Sequence, residues 1–143
     1  GLYQYHLVDL GREAYMAILN RALDHDSEVY RGIPEYFNDK GIGKYLYLTG
    51  SASWLLYILR RQVFGLAFKL GNLYLEPKLT KDDFMNGEAF IHTLTFGAET
   101  TITYLNPKQL AYGAYRVESV MADGQQVTLP ITKHYDHIIV ELG

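Results

Sequence analysis

The apolar positions follow two rhythms along the chain, and the change falls near Gly71. Ahead of it helical spacing dominates. Leu2, Tyr5 and His6 open an amphipathic turn expected to stop at Gly11, a residue suited to ending a helix. Ala14, Tyr15, Ile18, Leu19, Ala22 and Leu23 then recur with the three-and-four spacing of one helix face, until Asp24-His25-Asp26-Ser27 ends the pattern. Residues 24–48 predict a long connection punctuated by Gly32, Pro34, Gly41 and Gly43; an unstructured stretch of that length in a small domain tends to be functional. A third helix is predicted from near Ser51 to about Phe64. Trp54, Leu55, Ile58, Leu59 and Phe64 fall on its apolar face, so Trp54 is expected in the core. Arg60 and Arg61 stand near its end, where cations suit the helix dipole.

After Gly71 the period drops to two. Leu73-Tyr74-Leu75 predicts a short strand closed by Pro77, and residues 89–96 and 100–105 predict two more joined through Gly97. Residues 115–121 and 126–129 flank Asp123-Gly124, a pair that tolerates positive φ at both turn positions and signals a hairpin. Residues 135–142 supply a last strand. The expected fold is therefore α+β, with helices in residues 1–70 and an antiparallel β-sandwich of jelly-roll type in residues 71–143. The predicted helices lack sufficient mutual cover, so residues 1–70 are expected to be the tail of a larger helical domain. A self-sufficient α+β domain, or a dimer covering the open face, are the alternatives.

Composition narrows the partners. The chain has 143 residues and a formal charge of −3 without a basic run, which disfavours nucleic acid and anionic membrane. Its apolar stretches fall short of the ~20 residues of a membrane span, and no charged-then-apolar leader opens it. The absence of Cys excludes disulfides and thiolate metal sites and fits a reducing, cytoplasmic setting. Tyr outnumbers Phe by 13 to 6, which suits either sheet and interface positions or an aromatic-lined groove for sugars.

The run Tyr45-Leu46-Tyr47-Leu48-Thr49-Gly50-Ser51-Ala52-Ser53-Trp54 resembles a signature of the glycoside hydrolase family 94 enzymes, the cellobiose and chitobiose phosphorylases and cyclic β-glucan synthases. Leu73-Tyr74-Leu75-Glu76-Pro77, Phe96-Gly97-Ala98, Tyr104-Leu105-Asn106-Pro107, and Val117-Glu118-Ser119-Val120 with Asp123-Gly124 are similar to further family segments, in family order. The resemblance implies the last helices of an (α/α)6 barrel followed by a β-sandwich, and hence a carboxyl-terminal fragment. It implies that Thr49 and Gly50 bind inorganic phosphate, a co-substrate beside no other cofactor. The residues agree on their own terms, since Gly50 stands just ahead of a helix, where unpaired N–H groups and the positive dipole end converge. A plain helix cap by Thr49 or Ser51 is the competing account. Glu35 corresponds to a family Glu that contacts the acceptor sugar, although this chain reads Pro34-Glu35-Tyr36 where the family has Glu-Pro-Tyr.

No Asp-Trp-Asn-Asp-like motif occurs, so no catalytic residue is assigned, and the isolated chain is expected to be inactive. The expected activity is that of a parent enzyme: inverting phosphorolysis of a β-linked gluco-oligosaccharide, with the rest of the same chain and a second subunit as partners. A non-catalytic carbohydrate-binding or scaffold module is the rival, as is glucan cyclisation or hydrolysis. A sugar-binding sheet would need a strip of rings on one face; Tyr104, Tyr112, Tyr115 and Tyr135 are the candidates, and their spacing shows no shared face. No metal site is expected: His134 and His137 stand three apart, on opposite faces if both lie on a strand. Asp24-His25-Asp26 reads as a solvated turn.

Overall fold

Over residues 1–46 and 50–143, a computed structural model shows a mixed α+β chain. It divides into two units, Gly1–Arg60 and Arg61–Gly143. Among the described residues no helix is long and apolar enough to cross a membrane.

In the first unit a 3-10 turn, Leu2–Tyr5, leads into α1, Val8–Ala22. The helix does not stop at Gly11 but runs through it. A Cβ there would lie 2.8 Å from Cε2 of Tyr3, so the glycine lets the buried Tyr3 ring pack against the helix. The reversal falls earlier, at His6, which adopts φ 61°. The expected inner face is only partly covered: Ala22 is buried, while Ile18 and Leu23 are exposed.

Residues 24–46 carry structure of their own, correcting the unstructured connection. Asp24 Oδ1 accepts the Asp26 N–H at 2.9 Å and caps a 3-10 turn, His25–Ser27. Strands β1, Tyr36–Phe37, and β2, Gly43–Lys44, pair antiparallel around a turn in which Asn38 Oδ1 accepts the N–H groups of Lys40 and Ile42. Arg21 fastens these pieces to α1: its guanidinium donates to Asp24 Oδ2 at 2.5 Å and to the Gly41 carbonyl at 2.6 Å. Local side-chain-to-backbone bonds of this kind leave no hydrophobic periodicity, which is why the pattern missed the hairpin. Helix α2, Ser51–Ile58, passes into a π turn over Leu59–Val63 and does not extend as an α-helix to Phe64.

The second unit begins with β3, Leu66–Lys69, antiparallel to β4, Asn72–Leu75. Leu70 and Gly71 form the two-residue turn, with φ 50° and 80°. The rhythm change at Gly71 therefore marks a hairpin, and β3, which lay in the half read as helical, belongs with the sheet-forming residues. Gly65, just ahead of β3, has φ 70°, and a Cβ there would fall 2.1 Å from the Glu76 backbone. Only glycine fits that approach.

Strands β5, Glu88–Thr95, β6, Ala98–Leu105, β7, Val117–Ala122, β8, Gln125–Val127, and β9, His137–Leu142, form one sheet in the order β5-β6-β9-β7-β8. The sheet is mixed, not purely antiparallel: β9 inserts between β6 and β7 and runs parallel to β6. Because β6 and β7 run in opposite directions, the strand between them is parallel to one and antiparallel to the other.

Burial alternates along the strands. Ile91, Ile102, Tyr104, Val120, Ala122, Ile138, Val140 and Leu142 are buried, whereas Phe90, His92, Leu94 and Glu99 face solvent. Leu73 and Ile131 exchange backbone bonds at 2.8 Å and are both buried, which joins the β3–β4 hairpin to the β8–β9 connection. Tyr104 donates its phenol proton to the Phe64 carbonyl at 2.5 Å. Buried Asn106 closes the turn after β6 by bonding both backbone groups of Leu110 at 2.9 Å.

Candidate functional site

Of the predicted site residues, Gly50 stands at the start of α2 and Glu35 just ahead of β1. Thr49, with Tyr47 and Leu48, lies outside the described residues. Gly50 is the N-cap, and no side chain caps the helix there. The Ser51 hydroxyl, the other candidate cap, instead donates to the Glu35 carbonyl at 3.4 Å. Among the described residues no side chain caps the first amides of α2, the arrangement that leaves N–H groups and dipole to an anion.

Gly50 has φ −75°, an ordinary conformation for any residue. Among the described residues, a Cβ there would meet nothing nearer than Trp54 Cδ1, at 3.4 Å. Neither backbone strain nor packing against the described residues demands glycine. A glycine at such a position suits the close approach of a ligand to backbone.

The Ser51 bond brings Glu35 to the same place. Glu35 is exposed, and its N–H is shared between the carbonyls of Lys44 and Tyr45, both at 3.0 Å, so β2 fixes its backbone. Tyr36 and Tyr45, exposed on either side of that hairpin, have ring centroids 6.0 Å apart. Trp54 is 66% exposed, with its ring beside Gly50 and edge-on to Tyr57 at 5.7 Å. This corrects its expected place in the core. Helix α2 is apolar nearly all round, so the spacing of its hydrophobic residues could not say which of them turn inward; Leu55 is the one buried.

The start of α2, with no described side chain capping it, thus stands against the Glu35 backbone next to the exposed Tyr36–Tyr45 pair, with Trp54 turned outward on the helix. That set can hold an anion beside a polyhydroxylated ligand, whose C–H faces pack on rings while its hydroxyls bond to Glu35. The sequence singles out Gly50 and Glu35; the neighbouring Tyr36 and Tyr45 and the outward turn of Trp54 carry no signal in its spacing.

The other constellations resolve into structural ties. His134 Nε2 lies 2.9 Å from Asp136 Oδ1 and its Nδ1 lies 3.3 Å from the Thr100 hydroxyl. His137 begins β9, and among the described residues no group of three metal-ligating side chains converges. Asp24 and Asp26 are engaged by Arg21, with His25 stacked on Tyr30 at 3.8 Å. Tyr104 is buried and Tyr115 is bonded to Leu79, so neither offers a sugar platform. No protein-family model matches the chain, and no curated protein matches it.

Proposed function

We propose that this chain is the carboxyl-terminal part of a cytoplasmic glycoside phosphorylase resembling family 94, and that the start of α2 supplies part of its phosphate site. Residues 1–70 would then belong to the end of an (α/α)6 barrel, and the following residues to a β-sandwich. The observation that carries the reading is the bond from Ser51 to the Glu35 carbonyl. It holds the Glu35 loop against a helix N-terminus that no described side chain caps and whose glycine no described neighbour requires.

In the proposed reaction a phosphate oxygen attacks the anomeric carbon, the glycosidic C–O bond breaks with inversion, and an acid protonates the leaving oxygen. A phosphorylase needs an anion cradle where an inverting hydrolase has a carboxylate base. Thr49 and Gly50 form one wall of that cradle, and Glu35 meets the acceptor sugar beside Tyr36, Tyr45 and Trp54. The acid is assigned to the rest of the same enzyme, and a homodimer is the proposed assembly.

Trp54 is the single tryptophan of the chain, so its fluorescence reports on this site alone. Titration with cellobiose should shift and shield its emission, and phosphate should tighten that response. Emission indifferent to both ligands overturns the reading.

A further inference from the structure

We propose that the outer face of the five-stranded sheet carries a separate carbohydrate-binding site, in a cleft of about 510 Å³ lined by β5, β6 and the start of β9. It lies wholly within the second unit and does not depend on the phosphorylase reading. Its size falls in the range of roughly 300–1,000 Å³ typical of small-ligand sites.

Strand register decides which groups share the cleft. His92 pairs with Thr101 and Thr101 with His137, so these three stand in one row across three strands; Leu94 and Glu99 form the next row. The Thr101 hydroxyl and His92 Nδ1 are 2.8 Å apart, which fixes the imidazole and leaves its Nε2 available. Among the described residues the Glu99 carboxylate and the His137 ring have no hydrogen-bond partner. The cleft therefore presents an acceptor pair and two imidazole edges to whatever enters it. Phe90 extends the β5 side of this face, 62% exposed, with its ring 5.7 Å from that of His92.

The lining selects among ligand classes. Glu99 and Asp136 bring negative charge, and no lysine or arginine lines the cleft, which disfavours phosphates and carboxylates. The two imidazoles are separated by two inter-strand steps, about 10 Å at the backbone. They do not converge on one cation with a third ligand. A purely apolar ligand would bury the carboxylate and imidazoles without partners. A neutral polyol meets all of these conditions. Its hydroxyls donate to Glu99 and exchange bonds with the imidazoles, while its C–H face rests on Leu94 and the Phe90–His92 edge.

The test is backbone amide NMR on the 143-residue chain titrated separately with cellotetraose, spermidine and zinc chloride. Cellotetraose should shift the amides of Glu99, Thr101 and His137 with saturation, and Glu99→Ala or His137→Ala should each weaken that binding about fivefold to tenfold. Both side chains are exposed, so neither variant threatens the fold. Gly50→Ser should leave these shifts unchanged; their loss would assign the sugar response to the first unit and overturn the proposal. It is equally overturned if cellotetraose leaves the three amides unmoved, or if spermidine or zinc saturates them and the sugar does not.

Discussion

The phenol of Tyr115 closes both backbone groups of Leu79: it accepts the Leu79 N–H at 2.8 Å and donates to the Leu79 carbonyl at 2.8 Å. Leu79 is fully buried, in a segment of irregular backbone between β4 and β5 that has no strand partner to satisfy it. Tyr115→Phe should leave a buried donor and acceptor unpaired while keeping the ring. The expected loss is about 1–3 kcal/mol of stability, with an unchanged denaturant slope in a urea melt.

Burial raises the phenols of both Tyr104 and Tyr115 above the ordinary value; for Tyr115 the Leu79 N–H bond partly offsets that rise. A group whose folded-state value is raised contributes stability that is complete below its unfolded value, here about 10, and lost as pH climbs beyond it. Stability should therefore hold to about pH 10 and then fall by as much as about 1.4 kcal/mol per pH unit for each phenol. Tyr104→Phe should lower stability near neutrality, through the lost bond to the Phe64 carbonyl, yet make the alkaline slope shallower. Urea melts at pH values from 7 to about 11 on both proteins check this.

Gly65 and Gly71 separate two costs of replacing a glycine. Both have positive φ, but a Cβ meets the Glu76 backbone at Gly65 and open space at Gly71. Gly71→Ala should cost about 1–2 kcal/mol from backbone conformation alone. Gly65→Ala should cost several kcal/mol more or prevent folding of the second unit, because backbone cannot yield as a side chain can. Equal melting temperatures for the two variants would contradict the geometry.

Gly50→Ser tests the anion reading without weakening the helix start, since serine is a strong N-cap residue. On the proposed phosphorylase reading, the phosphate dependence of the parent enzyme should shift by roughly tenfold or more as the new side chain crowds the approach. The melting temperature should stay level or rise. Thr49→Val removes one hydroxyl and should weaken phosphate binding roughly tenfold to a hundredfold. Steady-state kinetics over a phosphate series, beside a melt of each variant, checks both.

Legibility followed the source of order. The strands β5 to β9 and their turns were readable because half-buried strands alternate and Asp123-Gly124 and Phe96-Gly97 carry positive φ in both positions. The β1–β2 hairpin was not, because Asn38 and Arg21 hold it by bonds to backbone oxygens and amides. Strand β3 was hidden in an apolar run that suits helix or strand equally. The parallel β6–β9 pairing depends on which strand lies between which, information that no local pattern carries. At the site, the motif around Gly50 was visible, but the turn of Trp54 toward solvent was not, since its neighbours are as apolar as it is.

The insertion of β9 between β6 and β7 has a kinetic consequence. The hairpins β5–β6 and β7–β8 can each close by local contacts, but they share no direct pairing; the strand between them is the latest in the sequence. The two halves of the sheet must therefore wait, each with an open edge, until residues 137–142 have left the ribosome. During that interval the unfilled slot is a template for any extended segment, including the same strand from a neighbouring nascent chain. Crowded synthesis should favour exchanged, interlocked pairs of molecules, and a peptide copying residues 137–142, supplied in excess during refolding, should compete for the slot and block its closure.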